Sequence, residues 1–177
     1  MSKARIATVW LDGCSGCHMS ILDMDERLIE LADRMELVYS PLVDTKEYPE
    51  NVDVVLVEGA VSTEDDLEKI RTVRRRTRIL VSLGDCAVTA NVPSLRNRFP
   101  VEAVAHRAYI ENAEFNQQVP RDIVPRLLPT SRPVHESVKV DVFFPGCPPS
   151  ADTIHFVLTE LLAGRIPDLT DKTRFGA

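Results

Sequence analysis

The sequence lacks the features that define several classes of protein. It has no basic surplus, because 21 lysines and arginines stand against 27 acidic residues, a net charge of −6. Nucleic acid is therefore not expected as the main partner, since phosphate binding needs a basic face. Glycine and proline together supply only 19 of 177 residues, which argues against a collagen-like or disordered chain. A domain of this length forms a core without disulfide bonds.

The beginning of the sequence carries no recognisable export signal. Lys3 and Arg5 are followed by only a short apolar stretch before Asp12, so we expect no signal peptide, no twin-arginine leader and no membrane span. These features predict a cytoplasmic protein with no membrane partner. Thiols stay reduced in that compartment, and four cysteines are then more suited to holding metal than to forming two disulfides.

Apolar runs alternate with helical patterns along the chain. Short β-branched runs predict strands, and apolar residues at helical spacing predict helices between them. The predicted strands are residues 5–11, 37–42, 52–57, 78–83 and 138–144. The predicted helices are residues 18–35, 64–76 with Thr63 as N-cap, and a last one from Pro148 and Pro149 to Gly164. The basic run 71–78 is interpreted as the end of a helix, where cations favour the dipole.

This alternation predicts an α/β fold, a flavodoxin-like doubly wound parallel sheet with strand order 2-1-3-4-5. We expect one domain over residues 1–177. Six prolines between Pro93 and Pro133 predict a proline-rich irregular insertion, about residues 93–137, before the last strand. A segment of this length without regular structure is expected to contact a partner.

The four cysteines follow predicted strands. Cys14 and Cys17 stand in DGCSGC after the first strand, Cys86 in GDC after the fourth and Cys147 in PGCPP after the last. We expect none of them to lie inside a strand or helix. Ligands of open α/β sheets bind at the carboxyl ends of the strands, so one site containing all four is predicted.

Several ligands are compatible with four thiols. Structural zinc typically uses two paired CxxC motifs, whereas this chain has one CxxC and two isolated cysteines. A redox-active pair would use only Cys14 and Cys17. A 4Fe-4S cluster uses all four, one for each iron, and the spacing favours it. Zinc and redox-active or inert cysteines remain the alternatives.

Charged and polar neighbours of these cysteines have competing interpretations. His18 is either a fifth ligand or tuning donor, or a helix residue facing solvent or a partner, which we favour. Glu58, in LVEGA after the third strand, is either a proton-relay or interface acid or a carboxylate that caps a loop or pairs with an arginine. Asp12 and Asp85 are expected to be turn residues that bond their own backbone.

The motifs WLDGCSGCHMSILDMDE, VLVEGAV, GDCAVTANVPSLRN and PGCPPSAD together resemble the small subunit of nickel-iron hydrogenases. The closest likeness is to the short cytoplasmic small subunit of NAD-reducing, bidirectional enzymes. The resemblance implies that Cys14, Cys17, Cys86 and Cys147 bind one proximal 4Fe-4S cluster and that no catalytic residue lies in this chain.

The same resemblance implies partners on both sides of the cluster. A large subunit carries the nickel-iron site, and iron-sulfur and flavin diaphorase subunits pass electrons to NAD. Neither the twin-arginine leader nor the additional cysteine motifs of longer relatives is present in this sequence. The quinone-reductase subunit of complex I is a weaker match, because it typically has adjacent cysteines where this chain has CSGC.

Two further hypotheses stay open at the level of sequence. A flavodoxin-like sheet could bind FMN at the same edge, although DGCSGC lacks the Ser/Thr-rich phosphate loop of flavodoxins. FMN is therefore possible but is not expected as the main cofactor. A purely structural scaffold within a larger complex is the other hypothesis.

Overall fold

The computed structural model describes residues 3–176, in which helices cover both faces of a central sheet. The strands are β1 (Ala4–Trp10), β2 (Met35–Tyr39), β3 (Val52–Glu58), β4 (Val61–Thr63), β5 (Thr77–Leu83), β6 (Leu127–Arg132) and β7 (Val142–Phe144). The helices are α1 (Gly16–Leu22), α2 (Arg27–Ala32), α3 (Glu64–Arg75), α4 (Asp85–Thr89), α5 (Val101–His106) and α6 (Ala151–Leu162). Single 3-10 and π turns cover Pro93–Arg98, Arg107–Glu111 and Val134–Glu136.

Five strands form one parallel sheet in the order β2-β1-β3-β5-β7. Numbered along the chain, these five strands have the order 2-1-3-4-5, and the predicted flavodoxin-like fold is confirmed. Trp10 pairs with Glu58, and Glu58 pairs with Leu83. The three central strands therefore end side by side, and the loops that follow them share one edge.

Successive residues of β3 enter cores on opposite faces of the sheet. Leu56 belongs to a buried cluster with Ile21 of α1 and Leu158 of α6. Val55 belongs to the cluster on the other face, together with Ile70 of α3. Each such side chain contributes about 1.5–3 kcal/mol when fully buried. A strand buried on both faces has a continuous apolar sequence, which is why β3 was predicted almost to the residue.

Helix α3 begins at the predicted residue. The Thr63 hydroxyl accepts a hydrogen bond from the Asp66 N–H, and the Asp66 carboxylate accepts one from the Thr63 N–H, each at 3.0 Å. This capping box satisfies N–H groups that the first turn leaves free. In the last turn of the helix and beyond it, arginines of the basic run pair with carboxylates, in Arg74–Asp141, Arg76–Glu50 and Arg78–Asp53.

The prediction of one helix over residues 18–35 was wrong. The chain forms α1 and α2 with a turn between them, in which Asp25 has a φ of +49°. Aspartate tolerates this left-handed conformation, which interrupts a right-handed helix. Strand β2 also lies earlier than predicted, at Met35–Tyr39, and it ends before Pro41, which has no N–H to donate.

A small antiparallel ribbon of β4 and β6 was missed. β6 contains Pro129, which a two-stranded ribbon tolerates at its free edge. It lies at the end of the proline-rich segment, whose residues 112–126 form no helix or strand.

The ends of the last two elements also differ from the prediction. β7 is shorter than predicted because Val138 closes a turn on Val134, with an N–H to carbonyl distance of 3.1 Å. Helix α6 starts after the two prolines, and Ser150 is its N-cap. None of the helices formed by residues 3–176 has both the length and the apolar character needed to cross a membrane.

Candidate metal centre at the carboxyl edge of the sheet

All four cysteines lie beyond the carboxyl ends of β1, β5 and β7, as predicted. Cys14 lies in the loop after β1 and Cys147 in the loop after β7, and both are exposed. Cys17 lies in the first turn of α1 and Cys86 in the first turn of α4. The expectation that no cysteine would lie in a helix was therefore wrong, because these helices begin almost at the cysteines themselves. None of the four is in a disulfide.

Gly84 brings the loop after β5 against Cys17. Its φ is +82°, and a Cβ at this position would overlap the Cys17 Sγ atom. Only glycine combines this backbone conformation with the absence of a side chain. Two residues later the chain presents Cys86. The thiols of Cys17 and Cys86 therefore belong to one site although 69 residues separate them.

Hydrogen bonds join the loops that carry Cys86 and Cys147. The Gly84 N–H donates to the Phe144 carbonyl at 2.8 Å, and the Asp85 N–H donates to the Gly146 carbonyl at 2.8 Å. The peptide bond between Cys147 and Pro148 is cis. The four cysteines thus stand on loops that the backbone holds together.

Burial raises the pKa values of Cys17 and Cys86, the two less exposed cysteines of the site. Burial raises the pKa of Cys17, and Glu58 and the three other cysteines raise it further. Burial raises the pKa of Cys86 to about 11, although a hydrogen bond from the Val92 backbone acts in the opposite direction. Both side chains are therefore protonated thiols at neutral pH in the metal-free protein. Metal binding at this site must release their protons.

Weak polar contacts surround the outer part of the site. The Asn91 side-chain amide donates to the Cys147 Sγ at 3.8 Å. Donors to sulfur favour the thiolate and tune the potential of a bound metal group. Asn91 lies two residues after the end of α4, a helix that was not predicted from the sequence, so its position beside Cys147 was not predicted either.

His18 and Glu58 form a buried pair, and the interpretation of His18 as a solvent-facing residue was wrong. Their exposed fractions are 4% and 1%. Glu58 Oε2 accepts a hydrogen bond from the His18 N–H at 3.0 Å and is also bonded to His18 Nδ1. Glu58 therefore pairs with a histidine and not with an arginine.

Glu58 acts as a remote cap for α1. Ser15 stands at the N-cap position of this helix but makes no side-chain capping bond. The carboxylate of Glu58 replaces that bond at the third helical residue, where a negative charge also favours the helix dipole. The helix that carries Cys17 is thereby fixed to β3.

A chain of hydroxyl groups continues from His18. His18 Nε2 lies 3.0 Å from Thr8 Oγ1, and Thr8 Oγ1 donates to Ser40 Oγ at 2.8 Å. Thr8 and Ser40 are both buried. A polar threonine within the apolar run IATVW is the one signal in the sequence that could have revealed this network.

Asp85 differs from the prediction of a self-bonded turn residue. It is 5% exposed, and its carboxylate accepts the N–H groups of Gly146 and Gly176, each at 2.7 Å. Asp12 instead uses its backbone, which exchanges hydrogen bonds with Ala60 at 2.7 and 3.0 Å. Both residues hold loops of this edge together.

The residues 3–176 contain no group of three or more His, Cys, Asp or Glu side chains close enough to hold a single metal ion. A single zinc ion would need four sulfurs at about 2.3 Å from one point. The described side chains, as they stand, therefore do not form a ready-made site for one metal ion.

Comparisons with known proteins agree with this arrangement. The protein-family model described as NADH ubiquinone oxidoreductase, 20 Kd subunit, matches residues 14–161, a span that contains all four cysteines. The chain is 42% identical to NAD-reducing hydrogenase HoxS subunit delta of Cupriavidus necator, and the match covers 94% of this chain and 82% of that protein. It is 35% identical to a subunit of the vhu F420-non-reducing hydrogenase of Methanocaldococcus jannaschii, over 95% of this chain and 59% of that protein.

Solved structures show the same likeness. A crystal structure of NAD+-reducing NiFe-hydrogenase in the H2-reduced state matches with a TM-score of 0.94 and 41% identity, over 98% of this chain and 99% of that chain. A NiFeSe-hydrogenase of Dm. baculatum matches with a TM-score of 0.65 and 21% identity, over 99% of this chain and 70% of that chain. The second match shows the fold alone.

These relatives support the hydrogenase interpretation and give no support to an FMN-binding module or a quinone-reductase subunit. The chain therefore belongs to the NADH ubiquinone oxidoreductase, 20 Kd subunit, family, and within it the chain is a homologue of the small subunit of NAD-reducing NiFe-hydrogenase.

Proposed function

We propose that this protein is the electron-transfer small subunit of a cytoplasmic NAD-reducing NiFe-hydrogenase. It holds one 4Fe-4S cluster through Cys14, Cys17, Cys86 and Cys147. Its partners are a large subunit with the nickel-iron site and the iron-sulfur and flavin diaphorase subunits that reduce NAD. The observation that carries the proposal is the meeting of four free thiols at the carboxyl ends of three parallel strands.

The donor set fits a cluster better than a single ion. A 4Fe-4S cluster gives each thiolate its own iron, so the sulfurs stand further apart than around zinc. Four free cysteines, only two of which form a CxxC pair, supply one thiolate for each of four irons and support this assignment. When bound, the cluster would accept one electron at a time and pass it on.

The residues of the chain prepare the site in different ways. Cys17 lies in the apolar core and excludes water from the inner side. The Asn91 side-chain amide donates to Cys147 Sγ, so one donor already points at sulfur, and the Val92 backbone acts to lower the pKa of Cys86. Glu58 fixes the helix that carries Cys17. With all four cysteines occupied, this chain has no thiol left for nickel and is not expected to split hydrogen by itself.

The composition of the anaerobically prepared complex tests this function. We expect iron and acid-labile sulfide in equal amounts at this subunit, together with a low-temperature EPR signal of a reduced cluster. Stoichiometric zinc without sulfide would overturn the assignment. Flavin released from this subunit in place of iron would support the FMN hypothesis instead.

Substitution of one proposed cysteine ligand distinguishes an electron-transfer role from a purely structural role. Cys147→Ser is expected to lower NAD-linked hydrogen oxidation by about tenfold or more while the complex still assembles. Asp152→Asn, at an exposed position on α6, is the matched control and should keep full activity. Full activity of Cys147→Ser would contradict the proposal and favour a purely structural role.

A further inference from the structure

The carboxylate of Asp85 connects three segments that are far apart in sequence. Oδ1 accepts the Gly146 N–H and Oδ2 accepts the Gly176 N–H, both at 2.7 Å. The side chain is almost fully buried. A buried carboxylate is stable only when its oxygens are bonded, so both contacts are needed to keep it in place.

The contact between Asp85 and Gly146 is reciprocal. Asp85 donates its own N–H to the Gly146 carbonyl at 2.8 Å and accepts the Gly146 N–H on its carboxylate. The partners immediately precede Cys86 and Cys147. Gly146 has a φ of +143°, and a Cβ there would lie 2.7 Å from the Pro149 Cα. The loop after β7 therefore has little freedom to compensate if the Asp85 contact is lost.

The second carboxylate oxygen reaches the last part of the described chain. This segment returns from α6 across the protein, with Leu169 packed against the core. The Lys172 ammonium lies 4.6 Å from the ring centroid of Phe156, a distance at which a cation and an aromatic ring attract each other. We define residues 165–176 as the return segment.

We propose that Asp85 is a positioning residue of the metal centre, which sets the separation of Cys86 and Cys147 through Gly146 and is itself held by the return segment through Gly176. This inference rests on the proposed function for the identity of the bound group. The hydrogen bonds themselves do not depend on it. Docking of the return segment through Gly176 is thereby coupled to the retention of metal at the neighbouring cysteines.

Three variants distinguish the hydrogen bond between Asp85 and Gly146 from the one between Asp85 and Gly176. Asp85→Ala removes both. Asp85→Asn removes the charge and leaves one oxygen, which can accept from only one of the two N–H groups. A chain that ends at Lys172 removes only the Gly176 contact. Asp141→Ala is the control, because Asp141 also bonds a backbone N–H, that of Leu80, but lies away from the cysteines.

The first measurement is iron release from the anaerobic complex to a chelator, together with the EPR spectrum and midpoint potential. We expect Asp85→Ala to release iron about tenfold faster and to shift the spectrum, since a hydrogen bond to a charged group is worth that much or more. Asp85→Asn and the shortened chain should each show a smaller effect than Asp85→Ala, because each leaves one of the two hydrogen bonds in place. Their combination should not exceed the effect of Asp85→Ala, since the remaining amide oxygen can still accept the Gly146 N–H.

The second measurement is amide hydrogen exchange in the metal-free chain. Asp85→Ala should speed exchange at both residues 84–86 and residues 145–147, whereas Asp141→Ala should leave both segments as in the wild type. Unchanged exchange in Asp85→Ala would overturn the positioning role, whatever the metal is. Absence of iron and sulfide in this subunit, separated anaerobically from the wild-type complex, would instead overturn the proposed function alone.

Discussion

At the scale of single residues, position 84 decides whether the Cys17 sulfur has room. The backbone there has a positive φ, and the place of a Cβ is taken by that sulfur. Gly164 also has a positive φ, of +74°, but no atom lies within 4 Å of the place that a Cβ would take. The two glycines therefore differ only in whether a side chain would collide with the site.

Replacement of each glycine by alanine distinguishes the effect of backbone strain from that of a steric clash with the Cys17 sulfur. Gly164→Ala should lose about 1–2 kcal/mol of stability, because L-residues are strained at positive φ. Gly84→Ala should lose more, because its Cβ would also collide with the Cys17 sulfur, and only this variant should lose most of the iron bound by this subunit. The measurements are urea unfolding of the metal-free chain and the iron content of this subunit separated anaerobically from the complex, and normal iron content in Gly84→Ala would contradict the geometry.

The sequence predicted that the four cysteines lie at one edge of the sheet, but it did not predict which polar side chains are buried near them. The apolar run before a cysteine predicts a strand, and this local pattern alone places the cysteine beyond the end of that strand. His18 also follows a cysteine, yet its burial depends on Glu58, which is 40 residues away. The partners of Asp85 are 61 and 91 residues away. Such contacts appear only when the strands are placed side by side.

At the scale of secondary-structure elements, Asp141 joins α3 to the start of β7. It accepts the Leu80 N–H at 2.8 Å and pairs with Arg74 of α3. Partial burial raises the pKa of Asp141, but the Leu80 N–H and the Arg74 guanidinium lower it by more, and the net shift is downward. The carboxylate form is therefore favoured by folding.

This shift predicts how stability depends on pH. An aspartate in an unfolded chain has a pKa of about 3.9, so on acidification the unfolded state takes up the proton first. The stabilisation by Asp141 should be complete above about pH 4 and should be lost as the pH falls through the native pKa. Asp141→Asn should therefore be less stable than the wild type at pH 6, and the difference should shrink below pH 4.

Urea unfolding of the metal-free chain between pH 6 and pH 3 measures this difference. Glu68→Gln, at an exposed position on α3, provides the control and should follow the wild type throughout. A gap between Asp141→Asn and the wild type that stays constant with pH would show that the lost contact is not electrostatic.

Strands and helices whose own residues show apolar periodicity or a capping motif were predicted well. Elements that depend on contacts with distant residues were not. The central strands and α3 have apolar periodicity and a capping box within their own sequence. β6 has neither, since it pairs with β4 from a distance of about 70 residues and contains a proline. The break between α1 and α2 depends on a single left-handed aspartate, which apolar spacing does not reveal.

At the scale of the whole molecule, almost half of the exposed large apolar side chains lie in or next to the proline-rich segment. Of the 17 large apolar side chains that are exposed in residues 3–176, eight lie between residues 92 and 127. They are Val92, Leu95, Phe99, Tyr109, Phe115, Ile123, Val124 and Leu127. The segment starts close to Cys86, and clustered apolar exposure is typical of a surface that binds another protein.

We expect this segment to be covered in the assembled hydrogenase. Amide exchange at residues 93–133 should be slower in the complex than in the isolated chain. Leu95→Asp with Phe99→Asp should weaken assembly about tenfold or more, because charges at an apolar interface are costly. Ile29→Asp, on α2 and more exposed than either of these residues, should not. Equal exchange in both states would exclude the segment from the interface.

The unequal burial of the four cysteines gives the site an inside and an outside. Cys17 is 8% exposed and Cys86 is intermediate, whereas Cys14 and Cys147 are open to solvent in the isolated chain. An incoming iron donor, or an attacking oxidant, meets the outer pair first and reaches Cys17 last. We therefore expect iron insertion and oxidative damage both to begin at Cys14 and Cys147. A partner bound over these two cysteines would block access for both processes.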